Sequence, residues 1–243
     1  MHLLATKPGE VGDGSAAVDL AQSPGDIIVL SAADTEIACL AAAQRARIAE
    51  GADSVPSLRL ANLMRLSHNL SVDLYVQQTV RGAKLVVVRL LGGRSYWRYG
   101  VDEITATCRK HGVPVAFLPG DDQPDAELDN VTTLPHEAAD RLWRYLVQGG
   151  IFNATQFLAY AGTLINHESD WQEPSTLMRA GLYWAHVSQP DLCDLRRIWQ
   201  AADLANAPVA ALVFYRALLQ AGNLAAVDAL MTECMKVGLR PLP

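Results

Sequence analysis

Seven arginine, glycine and aromatic residues are candidates for a site in the stretch "RLLGGRSYWRYG", which directly follows the apolar run "LVVV". These residues are Arg89, Gly92, Gly93, Arg94, Tyr96, Trp97 and Tyr99. A guanidinium group can hold a carboxylate through two parallel hydrogen bonds, and aromatic rings offer flat apolar faces. This combination suits a flat ligand that carries carboxylates, or a protein interface.

The same residues also fit a purely structural arrangement. In that alternative, the three rings pack over the end of a sheet and Arg94 pairs with a nearby acidic residue. The glycine pair does not decide between the two, because "LGGR" has neither the G-x-G-x-x-G spacing nor the P-loop spacing that cradles a phosphate.

Other residues with chemical potential are scattered. Six histidines are present without H-x-x-x-H spacing, and His68, in "RLSHNLSVD", is kept as a candidate because it precedes a predicted helix. The alternative for His68 is a surface histidine that flanks the helix. Asp121 and Asp122 resemble a metal-binding pair, although such a pair more often forms a turn and a helix cap. The sequence therefore predicts no complete catalytic or metal-binding motif.

Strands that alternate with helices must position these residues. Strands are predicted at 26–31, 58–60, 85–90 and at "VPVAFLP", with helical patterns between them. Asp34 or Thr35 is expected to cap the first helix, and Ser71 the second. The alternation predicts an α/β fold with a parallel sheet of the Rossmann or flavodoxin-like kind in a first domain, residues 1–134. Ligands of such sheets collect beyond the carboxyl ends of the strands.

The remainder of the chain divides into two parts. Residues 135–175 carry two helical patterns without a strand, which predicts a helical connector. Residues 176–243 show strand patterns at "RAGLYWA" and from Val209 to Tyr215, with helices after them. These are too few strands for an independent sheet. Either this second α/β unit shares the first sheet, or it is completed by residues beyond this chain.

Composition excludes several classes of protein. The chain has 243 residues, half of them apolar, so disorder is excluded as its main character. A net charge of -6 argues against nucleic acid or an anionic membrane as the principal partner. The four cysteines form no CxxC pair, and neither a disulfide framework nor a zinc site is predicted. With no signal peptide or membrane helix recognisable, a soluble, cytoplasmic protein is expected.

Several stretches together resemble a known family, in the order in which that family carries them. They are "MHLLATKPGEVGDGSAAVDLAQSPGDIIVLSAADTEIACLAAAQ", "PSLRLANLMRLSHNLSVDLYV", "LVVVRLLGGRSYWRYGVDEI", "FLPGDDQPDAEL", "LWRYLVQGG" and "PVAALVFYRALLQAGNLAAVDAL". The chain resembles the amino-terminal region of the CobN/magnesium chelatase H-subunit family, the large subunits of metal chelatases. The resemblance covers essentially the whole chain, and family members are several times longer.

The resemblance implies a function for the intact protein. Aerobic cobaltochelatases insert Co²⁺ into hydrogenobyrinic acid a,c-diamide during cobalamin biosynthesis, and separate AAA-type subunits hydrolyse the ATP. The metal-insertion pocket of the family is expected beyond this head region, so no catalytic or metal-binding residue is assigned, and no cofactor is expected on this chain alone. The implied partners are the ATPase subunits, the tetrapyrrole and the remainder of the chain itself.

A corrinoid precursor is a bent macrocycle fringed with carboxylates and amides. The resemblance therefore supports the hypothesis that the loop after Val88 lines a substrate-facing or interdomain cleft, with Arg216 and Asn223 from the second half and with His68. Two alternatives stay open. One is a stand-alone module that binds a tetrapyrrole, and the other is an interaction domain that docks the ATPase subunits without catalysis.

Overall fold

The structure is a computed structural model that describes residues 16–50, 55–187 and 189–243. Its larger sheet contains β1 (Ile27–Ser31), β2 (Leu58–Asn62), β3 (Leu85–Leu90) and β4 (Val115–Pro119). All four strands are parallel, in the order β2-β1-β3-β4. The chain adds β2 on one side of β1 and β3 on the other, so the first strand lies inside the sheet. This order is found in flavodoxin-like folds, and the predicted α/β class is confirmed.

The helices of the described ranges connect these strands and continue the chain beyond them. They are α1 (Asp34–Ala49), α2 (Asn69–Gln78), α3 (Arg98–His111), α4 (Ala126–Val131), α5 (His136–Gln148), α6 (Gly150–Thr163), α7 (Leu192–Ala201), α8 (Arg216–Ala221) and α9 (Ala225–Lys236). None of them is long and apolar enough to cross a membrane.

Both faces of the larger sheet are covered, which explains why its strands are continuously apolar. Side chains alternate between the faces, so Ile27 and Val29 belong to one core cluster and Ile28 and Leu30 to the other. Residues of α1, α5 and α6 pack on the first face. Residues of α2, α3 and α4 pack on the second.

The predicted helical connector forms part of this core. Leu142 and Tyr145 of α5 and Phe157 of α6 are buried in the same cluster as Val29 and Val87 of the sheet. The two helices therefore supply one face of the first core as well as the passage to the second half. The domain boundaries at 134 and 175 stay predictions.

An irregular segment after α6 is held against the helices by side chains. Asn153 and Ser175 exchange two hydrogen bonds of 2.9 Å. The Arg141 guanidinium lies 5.1 Å from the centre of the Tyr160 ring and 4.8 Å from that of the Trp171 ring. Backbone groups of this segment, which pair with no strand, thus form hydrogen bonds with a helix side chain.

The prediction of a strand at "RAGLYWA" was wrong. Residues 179–185 are irregular, and their link to a strand terminus is the hydrogen bond from the Tyr183 N–H to the Pro243 carbonyl, 3.2 Å long. A short apolar stretch forms a strand only when an adjacent strand offers backbone groups to pair with, and residues 179–185 have no such neighbour among the described residues.

A second sheet contains two short parallel strands, β5 (Val209–Ala211) and β6 (Arg240–Leu242). The helices α8 and α9 lie between them in sequence, so β5, α9 and β6 form a crossover unit. The strand predicted from Val209 to Tyr215 stops at Ala211, and Tyr215 directly precedes α8.

Asp26 joins the amino ends of three strands of the larger sheet. Its carboxylate accepts hydrogen bonds from the N–H and the hydroxyl of Ser57, at 2.8 and 2.6 Å, and pairs with Lys84 at 2.9 Å. These contacts, led by the Ser57 hydroxyl, lower the pKa of Asp26 to about 2. The ordinary value for an unfolded chain is about 3.9.

We expect Asp26 to make stability depend on pH in the acid range. Because the folded pKa is the lower one, the carboxylate stabilises the fold fully above about pH 4, and this contribution disappears as the pH falls towards 2. Asp26→Asn should lower the free energy of unfolding by about 1–2 kcal/mol at pH 7, in urea titrations followed by circular dichroism. The deficit should vanish near pH 2, whereas Asp122→Asn, on an exposed turn, should have little effect at either pH. A deficit that persists unchanged at pH 2 would contradict this assignment.

Candidate functional site

Arg89 is the penultimate residue of β3, and its side chain lies on the sheet face that α1, α5 and α6 cover. The guanidinium pairs with the carboxylate of Glu36 from α1. It also donates to the carbonyls of Pro119 (3.2 Å), Gly120 (3.1 Å) and Leu146 (3.1 Å). One side chain therefore joins the end of β3 to α1, α5 and the end of β4.

The Arg89–Glu36 pair is nearly enclosed. The two side chains are only 13% and 11% exposed. The second carboxylate oxygen of Glu36 accepts a hydrogen bond of 2.6 Å from the hydroxyl of Ser31, at the end of β1. A buried charge is tolerated when it is paired and its remaining hydrogen-bonding capacity is used, as it is here.

A cleft of about 240 Å³ opens beside this pair, and we call it the Arg89 cleft. It lies between the carboxyl end of the sheet, the junction of α5 with α6, and α8. Its lining includes Glu36, Cys39, Arg89, Gly149, Ala217 and Gln220. Gly149 and Gly150 both have positive φ, at 69° and 83°, so the α5–α6 junction adopts a backbone conformation that glycine permits most readily.

The Arg89 cleft is not suited to binding phosphate, and its cysteine is not a reactive thiol. The first turn of α1 carries the carboxylates of Asp34 and Glu36, which compensate the positive end of the helix dipole. Burial, with a smaller effect from Glu36, raises the pKa of the Cys39 thiol to about 11. The thiol is therefore protonated at neutral pH and is a poor nucleophile.

The three aromatic residues lie over the other face of the sheet. After Gly92 and Gly93, whose φ values are 91° and 70°, the chain turns back and brings Trp97 against the segment before α2. The Trp97 indole N–H donates to the Leu66 carbonyl over 2.9 Å, and its ring is buried. A Cβ on Gly100 would lie 2.2 Å from this ring, so the glycine lets α3 start close to the indole.

Tyr96 and Tyr99 remain partly exposed, at 55% and 36%. The Tyr96 hydroxyl contacts the Met64 sulfur at 3.3 Å, and the Tyr99 hydroxyl donates to Asp73 over 2.7 Å. Because of this hydrogen bond, the pKa of Tyr99 is raised to about 12. Tyr96, Tyr99 and Arg94 together form an exposed surface on the loop, and we call this surface the loop tip.

Arg94 pairs with Asp102 of α3 at 2.7 Å. Its Nε is buried without a hydrogen-bond partner in the part of the chain that the structure describes. The packing alternative therefore describes only part of the present contacts of the loop: Trp97 packs and Arg94 has an acidic partner, whereas Tyr96 and Tyr99 stay partly exposed. A substrate contact by these residues stays a prediction.

Two of the remaining candidate residues, Arg216 and Asn223, lie apart from the loop tip, whereas His68 lies on the same α2–α3 face as the loop. The Nδ1 of His68 accepts the Leu70 N–H at 3.1 Å, so His68 is the N-cap of α2 in place of the predicted Ser71. Arg216 donates to the carbonyls of Leu177 and Met178 and holds the irregular segment against α8. The N–H of Asn223 donates to the Leu218 carbonyl, at the end of α8.

The candidate residues thus fall into separate places. Arg89 lies in the Arg89 cleft, Arg216 and Asn223 lie at the two ends of α8, and the loop residues and His68 lie over the α2–α3 face. Sequence reasoning missed Glu36, although a buried strand arginine requires a counter-charge, and the acidic first turn of the first helix was available to supply it. Asp121 caps a local turn through the Gln123 N–H, and no cluster of three metal-binding side chains occurs among the described residues.

Comparison with known proteins decides the family. Residues 143–243 match the family model described as CobN/Magnesium Chelatase. The whole chain is 41% identical to the aerobic cobaltochelatase subunits CobN of a Sinorhizobium species and of Pseudomonas aeruginosa. The chain belongs to the CobN/magnesium chelatase family. It spans the amino-terminal 19% of the length of both relatives.

A solved structure supports the fold. The catalytic subunit of cobaltochelatase from Mycobacterium tuberculosis superposes on 90% of this chain with a TM-score of 0.65 and 28% identity. The chain covers 16% of that structure. The parallel sheet with its helices is therefore the fold that this catalytic subunit uses in the corresponding region.

We expect the Arg89–Glu36 pair to be required for stability. Arg89→Ala leaves the Glu36 carboxylate buried without its partner, which should lower the free energy of unfolding by about 3–5 kcal/mol in urea titrations. Arg98→Ala is the matched control, because that side chain is 79% exposed and its contact with Asp102 is 3.8 Å long. The control should cost no more than about 1 kcal/mol.

A double variant distinguishes the contribution of the charge pair to stability from the contribution of side-chain packing. Replacing both Arg89 and Glu36 by Met removes both charges together, and it should cost less than Arg89→Ala alone. If the single substitution costs as little as the Arg98 control, the pair does not hold these elements together.

Proposed function

We propose that this chain is the head region of the large subunit of an aerobic cobaltochelatase. In this proposal the intact enzyme inserts Co²⁺, as a substrate, into hydrogenobyrinic acid a,c-diamide during cobalamin biosynthesis, and separate AAA-type subunits hydrolyse the ATP. The observation that carries the proposal is the 41% identity to two cobaltochelatase subunits along the entire chain.

The role proposed for the head is to shape or close the tetrapyrrole site, and not to insert the metal. Insertion requires ligands that relay the cation and a base that takes protons from the macrocycle. The described residues form no cluster of metal-binding side chains, and the thiol of Cys39 is held protonated by burial. This part of the chain alone is therefore expected to be inactive.

The loop tip is the part of the head that we propose faces the tetrapyrrole. The Arg89 cleft, at about 240 Å³, is smaller than the sites usual for drug-sized ligands, and its paired cation is only 13% exposed. Arg94, Tyr96 and Tyr99 are partly exposed, and they combine a cation with two ring faces for a carboxylate-fringed macrocycle. Arg89 then acts as a positioning residue, because it holds β3, from which the loop leaves.

A fusion protein tests the proposed function. In this protein, residues 1–243 replace the matched segment of the Pseudomonas aeruginosa cobaltochelatase subunit and are followed by the rest of that subunit. With the ATPase subunits of that organism and ATP, the fusion protein should insert cobalt, and residues 1–243 alone should not. Failure of a well-folded fusion protein to insert cobalt would contradict the proposal.

Titration calorimetry of residues 1–243 with hydrogenobyrinic acid a,c-diamide tests the alternative of a stand-alone binding module. Weak or absent binding is expected, because the head supplies only one side of the site. Micromolar or tighter binding by the isolated chain would favour the stand-alone module.

Substitutions in the loop tip test its contact with substrate. Arg94→Ala combined with Tyr96→Ala in the fusion protein should lower kcat/KM for the tetrapyrrole by at least about tenfold, the effect of losing one charge-assisted hydrogen bond and a ring contact. ATP hydrolysis without tetrapyrrole should not change. Arg109→Ala, exposed at the far end of α3, is the control. Unchanged kcat/KM in the double variant would leave the loop tip with a packing role only.

A further inference from the structure

The small sheet of β5 and β6 has one closed edge and one open edge. On the outer side of β6, Pro241 has no N–H to donate, and its carbonyl accepts the indole N–H of Trp199 from α7 over 3.2 Å. The Arg240 guanidinium lies 5.4 Å from the centre of the same indole. No further strand can pair in register along this side.

The outer edge of β5 is open. The ladder to β6 uses the carbonyl of Pro208 and the N–H of Leu212, which bond to Arg240 and Leu242 at 2.8 and 2.9 Å. Backbone groups alternate in direction along a strand, so the N–H and C=O groups of Val209 and Ala211 point away from β6, and Val213 follows directly after Leu212, whose N–H still bonds to Leu242. Among the described residues, the structure shows no hydrogen bond from these groups.

One face of β5 is also uncovered. The side chains of Val209 and Ala211 share this face, and Val213, just beyond the strand, continues the alternation of exposed residues; Val209 and Val213 are 49% and 97% exposed. The residues between them, Ala210 and Leu212, are half-buried. Parallel sheets are normally covered on both faces, and isolated pairs of three-residue strands are not stable units.

The larger sheet of the same chain shows how such an arrangement is completed. There β1 and β2 are joined by α1 on one face, and β3 then pairs with the free edge of β1 while α2 covers the opposite face. Right-handed crossovers require this change of face when the direction of strand addition reverses. In the small sheet, β5 and β6 correspond to β1 and β2, and α9 corresponds to α1.

We propose that β5 is a central strand, and that its outer edge binds a third parallel strand whose crossover helix covers Val209, Ala211 and Val213. The strand would come from the polypeptide that follows the matched region in the longer relatives, of which this chain spans the amino-terminal 19%. The inference rests on the proposed function, which places this chain within such a polypeptide. The recognition is by backbone pairing for the strand and by apolar contact for the helix.

Hydrogen exchange tests the strand. In residues 1–243, the amides of Val209, Ala211 and Val213 should exchange much faster than that of Leu212, which bonds to β6. In the fusion protein the same three amides should slow by at least about 100-fold, because a paired edge opens only with its sheet. Equal exchange in the two proteins overturns the inference. Protection in residues 1–243 that grows with concentration, with a dimer in sedimentation, also overturns it, because the occupant is then a second copy.

A charge on the open face tests the covering helix. Val213→Lys should leave the melting temperature of residues 1–243 unchanged, because the side chain is almost fully exposed there. In the fusion protein it should lower the melting temperature by several degrees. Val237→Lys, 71% exposed at the end of α9, is the matched control and should be neutral in both proteins. A neutral Val213→Lys in the fusion protein contradicts the covered face.

These measurements are independent of catalysis. Slow exchange in a fusion protein that does not insert cobalt would uphold the third strand and contradict the proposed function. Fast exchange in a fusion protein that inserts cobalt would do the reverse.

Discussion

The guanidinium of Arg89 lies inside the protein at the point where β3, β4, α1 and α5 meet. Taking one charge out of water costs several kcal/mol unless partners replace the water, so the carboxylate of Glu36 and three backbone carbonyls must lie where they do. The helices on this face are therefore fixed relative to the sheet by directional bonds as well as by apolar packing. The Arg89 cleft exists because the α5–α6 junction and α8 approach this polar point without filling it.

Much of the larger sheet was predictable from the sequence, because covered parallel strands are continuously apolar and "DIIVLS", "LVVVRL" and "VPVAFLP" are of this kind. The helix caps were less predictable. Ala33, not Asp34 or Thr35, is the N-cap of α1, and His68 replaces Ser71 at α2 because its Nδ1 can accept an N–H as a serine oxygen does. The strand expected at 179–185 failed because strand formation depends on a partner that local sequence does not reveal.

The candidate site shows a similar limit. Arg89 and the aromatic residues are close in sequence, but alternation along β3 directs Arg89 to one face, and the turn at Gly92 and Gly93 returns the rings to the other. The face on which Arg89 lies can be predicted from the sequence, because residues alternate along β3 and Arg89 shares the face of Leu85 and Val87. The return of the rings to the opposite face depends on two positive φ values and on the Trp97–Leu66 hydrogen bond, which the sequence does not specify. The fold also resembles flavodoxin in strand order without its phosphate chemistry, because acidic side chains occupy the start of α1.

The open edge of β5 has a consequence for synthesis on the ribosome. The larger sheet has its fourth strand by residue 119 and its last covering helix by residue 163, so it can close early, from nearby segments. The small sheet emerges later, and until its edge is paired it exposes three backbone amides beside apolar side chains. Unpaired edges of this kind recruit strands from other nascent chains. Association of this second unit with other nascent chains therefore competes with its completion, and chaperone binding near residues 209–213 would protect it.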